Sequence, residues 1–364
     1  MHRIWTAILL ASALSACQPS SEQVARQNAA TASSQAAQWT STPRPSATAT
    51  PTSTPSPTPT PSPTATPTPV GGPPGLIAYV NQAPSSQALV GDLYNILTVR
   101  LDGSDPTNIT HNSDPTIQLF HPQWSPDGER IAFTRSDNQS NSQIYVMNAD
   151  GTSVQKLSPV PQYAGTFDVE SVLVDTQPVW SPDGKTMAFA SNRHSLQAFN
   201  PDLEIYTINL QTYELTQVTR VPGSSEHPTW SPDGETIAFM SDRDGDWEIN
   251  AVSADGSKLA QLTRNRASDR FPSWSPDGSQ IAFHSDRDGN IEIYIINLQD
   301  SSETRITTNP AADFTVSWSP DSEWISFLSD RDGDDELYIM KLDGSQLTQL
   351  TNNSDDDAVA SWSP

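Results

Sequence analysis

One pentapeptide, recurring at a nearly fixed distance, restricts this chain more than anything else in it. Trp-Ser-Pro-Asp-Gly stands at 124–128, 180–184, 230–234 and 274–278, Trp-Ser-Pro-Asp-Ser at 318–322, and a bare Trp-Ser-Pro at 362–364. Successive tryptophans are separated by 56, 50, 44, 44 and 44 residues. A repeat of this length means one small supersecondary unit used several times, because a unit so short buries its apolar face only against its neighbours. Each full motif leads into a run with strand character: IAFTR (131–135), MAFAS (187–191), IAFMS (237–241), IAFHS (281–285) and ISFLS (325–329). A second run follows (IYVMN 144–148, IYTIN 205–209, IYIIN 293–297), and a third carries Leu-Thr or its equivalent (156–158, 217–219, 261–263, 349–351).

Four short strands, a to d, per repeat with turn chemistry between them describe the blade of a β-propeller. Ser-Pro-Asp-Gly suits a type I turn, with proline second and glycine fourth, and joins strand a to strand b. Asp-Gly at 102–103, 150–151, 255–256 and 343–344 suits a tight hairpin between c and d. The tryptophan ends strand a, where its ring fills space between blades. LIAYV (76–80) is a sixth strand b with no WSPDG before it, and AVASWSP (358–364) is a strand a with no blade after it. The two fragments complement each other. The expected fold is all-β: a six-bladed propeller closed by the C-terminal strand over 75–364, which leaves no open sheet edge. The pattern WSPDGxxIAFxSDRDGxxEIY resembles the WD-like repeat of TolB-type propellers over residues 76–364. That family implies the fold far more firmly than a function, and the α/β domain that TolB itself carries ahead of its propeller has no counterpart here.

What precedes the repeats is of another kind. Residues 1–17 pair Arg3 with a short apolar run (4–14) and end in Leu14-Ser15-Ala16-Cys17, which resembles the lipobox of bacterial lipoproteins. The resemblance implies cleavage before Cys17 and acylation, palmitate included, of that residue. Cys17 is the only cysteine, so an internal disulfide is excluded. Residues 18–74 run from Ser/Ala-rich to Pro/Thr-rich, with ten prolines in 41–70. Such a tract denies helix and sheet alike and reads as a disordered stalk able to reach on the order of 90 Å. Beyond residue 70 there are 42 acids and 16 bases. A surface so negative repels nucleic acid and anionic headgroups, leaving cations, basic partners and neutral ligands.

No G-x-S-x-G elbow, H-E-x-x-H or phosphate loop appears, so the motif evidence is against an enzyme. His121 and His227 share one repeat position, three before the tryptophan. Val359, Gln177, Phe271 and Thr315 stand there in the other blades, so the histidines do not recur as a ring of metal ligands would. Propeller topology puts the b–c and d–a connections on one face, and the irregular insertions (81–92, 159–175, 192–202) belong to it. Tyr163, Phe167 and Phe199 are candidate apolar contacts within them. Five residues before the tryptophan stand Asp175, Asp269, Asp313 and Asp357, with Leu119 and Ser225 in the remaining blades and Glu226 adjacent. The expectation is an acidic ring at the channel mouth that takes a divalent cation (calcium) or a Lys/Arg-rich segment, with Arg270 as an internal counter-charge. SDRDGDWE (241–248), SDRDGNIE (285–292) and SDRDGDDE (329–336) resemble the start of a calcium loop. No EF-hand register fits them, so they read as b–c turns, their glutamates opening strand c.

Together these features describe an exported, lipid-anchored, monomeric propeller that faces the periplasm or the cell exterior. Its expected role is non-catalytic binding of an envelope protein, a peptide or a cell-wall glycan. The rival reading is a glycan lyase or hydrolase working at the channel mouth.

Overall fold

The structure, a computed structural model, describes residues 75–83, 92–137, 141–157, 159, 173–195 and 202–364. These residues form six four-stranded antiparallel sheets and, among the described residues, no helix. Blade 2 shows the common plan. Strand a (Ile117–Trp124) pairs with b (Arg130–Asp137), b with c (Ser142–Asn148), and c with a short d (Gln155–Lys156). Blades 3 to 6 repeat it, their strands a being Asp175–Trp180, Ser225–Trp230, Asp269–Trp274 and Asp313–Trp318. Blade 1 is built from both ends of the repeat region. Its strands b, c and d are Leu76–Ala83, Leu93–Arg100 and Thr107–Asn108, and its strand a is Asp356–Trp362. The expected closure is therefore present, and Leu76 N–H donates to Ser363 Oγ (3.2 Å) to finish it.

The core lies between blades. Strand b carries a fully buried aromatic, Phe189, Phe239, Phe283 or Phe327, with Tyr79 in blade 1. One cluster joins Ala238, Met240 and Ile249 of blade 4 to Ile281, Phe283 and Ile296 of blade 5. Another joins Ile77, Val99 and Trp362 of blade 1 to Phe314, Leu328 and Leu337 of blade 6. The repeat tryptophans also work between blades. The indole N–H groups of Trp180, Trp318 and Trp362 donate to Gln123, Ser273 and Ser317 carbonyls of the preceding strand a, at 3.2, 3.0 and 3.2 Å.

The turns behave as their residues require. Gly128 N–H returns to Ser125 O at 2.8 Å, closing Ser-Pro-Asp-Gly, while the Ser125 hydroxyl meets Asp127. In the c–d hairpin Gly151 takes φ 81° and lies against blade 1, where an added Cβ would fall 1.9 Å from Ile109 O. That position excludes a side chain both by backbone conformation and by space.

Candidate binding site at the channel throat and acidic rim

Every strand a bends at the same point. The residue three before its tryptophan has a left-handed backbone in all six blades: His121 (φ 52°), Gln177 (57°), His227 (51°), Phe271 (54°), Thr315 (47°) and Val359 (32°). The pairing of strands a and b slips there in each sheet, as a β-bulge does. Proline follows in four of the six. The bulge turns these side chains inward, where they line a cavity of about 110 Å³ on the propeller axis. Left-handed backbone in six non-glycine residues is costly and persists only where surrounding structure imposes it.

His121 and His227, expected as candidates from their shared position, do meet there, their ring centroids 5.3 Å apart. His227 also packs on Phe271 (3.9 Å), which packs on His284 of strand b in blade 5 (4.9 Å). Gln177 organises the group. Its Oε1 accepts from His227 N–H (2.8 Å), and its Nε2 lies 2.9 Å from His227 Nε2 and 3.3 Å from Glu226 Oε2. An amide nitrogen donates, so His227 Nε2 accepts and its proton is on Nδ1. Burial pushes His121 down to about 4 and His284 to about 3, and with His121, His284 and Arg270 nearby holds His227 well below its usual value. All three rings are neutral at physiological pH. Burial raises Glu226 to about 7, against the opposing hydrogen bond from Gln177. The throat is thus polar, its histidines neutral and Glu226 divided between its two forms near pH 7.

The four aspartates sit elsewhere than the expected ring. Asp175, Asp269 and Asp313 are fully buried rather than open at a mouth. Each is bound by the arginine of its own b–c loop: Arg193 Nη2 to Asp175 Oδ2 at 2.6 Å, Arg287 Nη2 to both Asp269 oxygens at 2.9 and 2.8 Å, and Arg331 Nη2 to Asp313 Oδ1 at 2.8 Å. Arg270 is not their counter-ion. It lies over the Trp247 ring, and the acids that act on it are Asp286, Glu226 and Asp242. Asp357 is buried too, but an asparagine, Asn81, meets it, at 3.2 Å. Tyr163, Phe167, Phe199 and Cys17 lie outside the described residues.

The arginine is what the sequence reading missed. Besides its aspartate, Arg287 covers the rings of Phe283 and Tyr294 (5.5 and 4.5 Å), and Arg331 covers Phe327 and Tyr338 (5.4 and 4.5 Å). The signal was there in the constant spacing of Phe, Arg and Tyr across IAFxSDRDGxxEIY. The loop aspartates have local tasks as well. Asp242, Asp286 and Asp330 each accept a d–a backbone N–H, from Ser224, Ser268 and Ala312 at 2.7, 2.9 and 2.8 Å. Their carbonyls accept Gly245, Gly289 and Gly333 N–H. In blades 4 and 5 the loops are turns, as expected.

Residues 198–290 and 266–364 match the family described as the TolB beta propeller domain. Over 198–364 the repeats are similar to those of the TolB-type propeller. Among named relatives, the Tol-Pal system protein TolB of Alcanivorax borkumensis is 30% identical over 100 residues, 28% of this chain and 20% of that protein. The chain therefore aligns with only a minor part of the curated relatives it matches. The crystal structure of TolB from Acinetobacter baumannii superposes with a TM-score of 0.65 at 24% identity, over 79% of this chain and 66% of that one. An oligogalacturonate lyase in complex with manganese also superposes, with a TM-score of 0.52 at 17% identity, over 78% of this chain and 80% of that one. These likenesses concern the fold. Binding proteins and enzymes share it.

Proposed function

We propose that this chain is an exported, lipid-anchored TolB-like propeller that binds another envelope protein, without catalysis, through the face carrying the b–c and d–a loops. The observation that carries the reading is the crowding of acids there. Asp244, Asp246 and Asp288 are joined across one seam by Asp330, Asp332, Asp334, Asp335, Asp355 and Asp356, all at least partly exposed. Arg287 and Arg331 are engaged by the buried Asp269 and Asp313, and Arg305 by Glu292 and Asp288, so these three neutralise little of the surface. Such a face suits a Lys/Arg-rich segment, attracting it from a distance and weakening with salt. Cys17 would carry the acyl chains and residues 18–74 would form the stalk, holding this face away from the membrane.

Crosslinking on intact cells, followed by mass spectrometry of what is recovered with the full chain, tests this. A protein with a basic segment is expected, and its yield should fall when Asp244 and Asp246 are both changed to Asn. Recovery of the chain alone, or an unchanged yield with the double variant, refutes it. A second reading, a lyase or hydrolase acting on an envelope glycan, draws on one observation: Glu226, poised near pH 7 beside the throat, has the protonation behaviour of a general acid or base. Product release from cell-wall glycan by wild type and not by Glu226→Gln would favour it.

A further inference from the structure

Three of the six seams, those between blades 4 and 5, 5 and 6, and 6 and 1, share one arrangement, and the last of them lacks its arginine. Strand c opens with a buried glutamate, and the next blade's strand a opens with a buried aspartate. Between blades 4 and 5 the pair is Glu248 and Asp269, and Arg287 binds the aspartate with both oxygens engaged. Between blades 5 and 6 it is Glu292 and Asp313, with Arg331 on the aspartate and Arg305 Nη2 2.6 Å from Glu292 Oε1. Between blades 6 and 1 it is Glu336 and Asp357, both fully buried. Here Asn81 stands where blades 3 to 6 have serine, and Ala83 stands where they have arginine.

The consequence is visible in the hydrogen bonds. Glu336 Oε1 accepts Asn353 N–H at 2.5 Å, and Asp357 Oδ1 accepts the Asn81 amide. Glu336 Oε2 and Asp357 Oδ2 are buried and receive no donor among the described residues. The two carboxyl groups lie against each other, with the Thr351 hydroxyl beside both. Two buried carboxylates in contact, without an arginine, need a cation or a proton between them. On the outer side of Glu336 the same loop supplies more oxygen. Carboxylate oxygens of Asp332, Asp334 and Glu336 lie within 4.8 Å of one another, and among the described residues they are the only such group of three.

We propose that the seam between blades 6 and 1 binds a hard divalent cation, calcium by its ligand type, through Glu336, Asp332 and Asp334, with Asp357 completing the charge behind them. All the ligand atoms are oxygens, one carboxylate is buried and fixed by a backbone N–H, and two are exposed enough to adjust. Calcium accepts such a set, filling its remaining positions with water or backbone carbonyls. The cation takes the place that Arg305 fills in blade 5, between Asp288 and Glu292, where blade 6 has Gln349, and it does so beside the seam where the first and last strands of the ring meet. The site shares Asp332 and Asp334 with the proposed partner face, but its calcium test needs no protein partner.

Calcium titration of the full chain after chelator treatment tests it, by calorimetry and by thermal unfolding at pH 7.5. Wild type should bind one calcium with a dissociation constant of about 10⁻⁴–10⁻³ M, the range of extracellular modules, and its Tm should rise by several degrees at ~10 mM calcium. Asp332→Asn and Asp334→Asn, changes at the surface that leave the fold intact, should each weaken binding at least tenfold. Ala83→Arg should raise Tm without calcium and remove most of the calcium response. Calcium that produces neither heat nor a Tm shift in wild type overturns the proposal and assigns a shared proton to the pair. Binding that persists unchanged in Asp334→Asn overturns the ligand set.

Discussion

Glu226→Gln offers the sharpest check on the electrostatics of the throat. The carboxyl is buried, accepts one hydrogen bond from Gln177, and has Asp242 and Arg270 as its charged neighbours, with His227 next in the chain. Burial raises it from 4.5 to about 7. Below pH 4.5 the group is protonated in folded and unfolded chains alike and costs nothing. Between 4.5 and 7 only the unfolded chain is ionised, so folding loses stability as pH rises. Above pH 7 both are ionised and the penalty is constant. At 1.36 kcal/mol per pH unit, the shift amounts to about 3 kcal/mol. Glutamine keeps an acceptor for Gln177 and removes the titration. The variant should match wild type near pH 4.5 and exceed it by about 3 kcal/mol at pH 8, read as urea-unfolding free energies across that range. Profiles that run parallel from pH 4.5 to 8 would show that Glu226 is already ionised, and the throat would carry a negative charge after all.

Three further changes probe the frame. Arg331→Met strips Asp313 of its guanidinium and should cost about 3–5 kcal/mol by chemical denaturation, whereas Arg243→Met, in the blade where Ser225 replaces the aspartate, should cost under about 1 kcal/mol. Gly151→Ala forces a Cβ onto Ile109 O at φ 81° and should destabilise by at least about 2 kcal/mol, or prevent folding, as judged by yield and Tm. Trp318→Phe loses the bond to Ser273 O and should cost about 1 kcal/mol more than Trp274→Phe, whose indole N–H has no partner to lose.

The fold was legible because a propeller states itself many times over. Trp124 to Trp362 mark strand a, the Ser-Pro-Asp turn marks the corner, and the unmatched LIAYV and AVASWSP have only each other to pair with. The site was less legible, for a physical reason. Asp175, Asp269 and Asp313 share a repeat position, but position alone does not say whether a carboxylate faces water or a guanidinium two residues past the paired strand. Only three-dimensional pairing puts Arg193, Arg287 and Arg331 on them. The inward turn of His121 and His227 was equally hidden, because it depends on left-handed backbone at residues that carry no glycine. What repetition did allow was comparison. Ala83 means little by itself, and acquires meaning because four sister blades hold arginine there.

The clasp of Asp356–Trp362 onto Leu76–Ala83 also orders events in time. The strand that blade 1 needs is made after every other described strand of the propeller, nearly the whole ring after its partner. Until those residues arrive, Leu76–Ala83 offers an unpaired edge and the seam with blade 6 has no far wall. Pairing across such a separation is slow, and a chain halted short of it exposes an edge to its neighbours. The ring is therefore closed only once Asp356–Trp362 has been synthesised, and a lesion in that seven-residue strand damages the first blade.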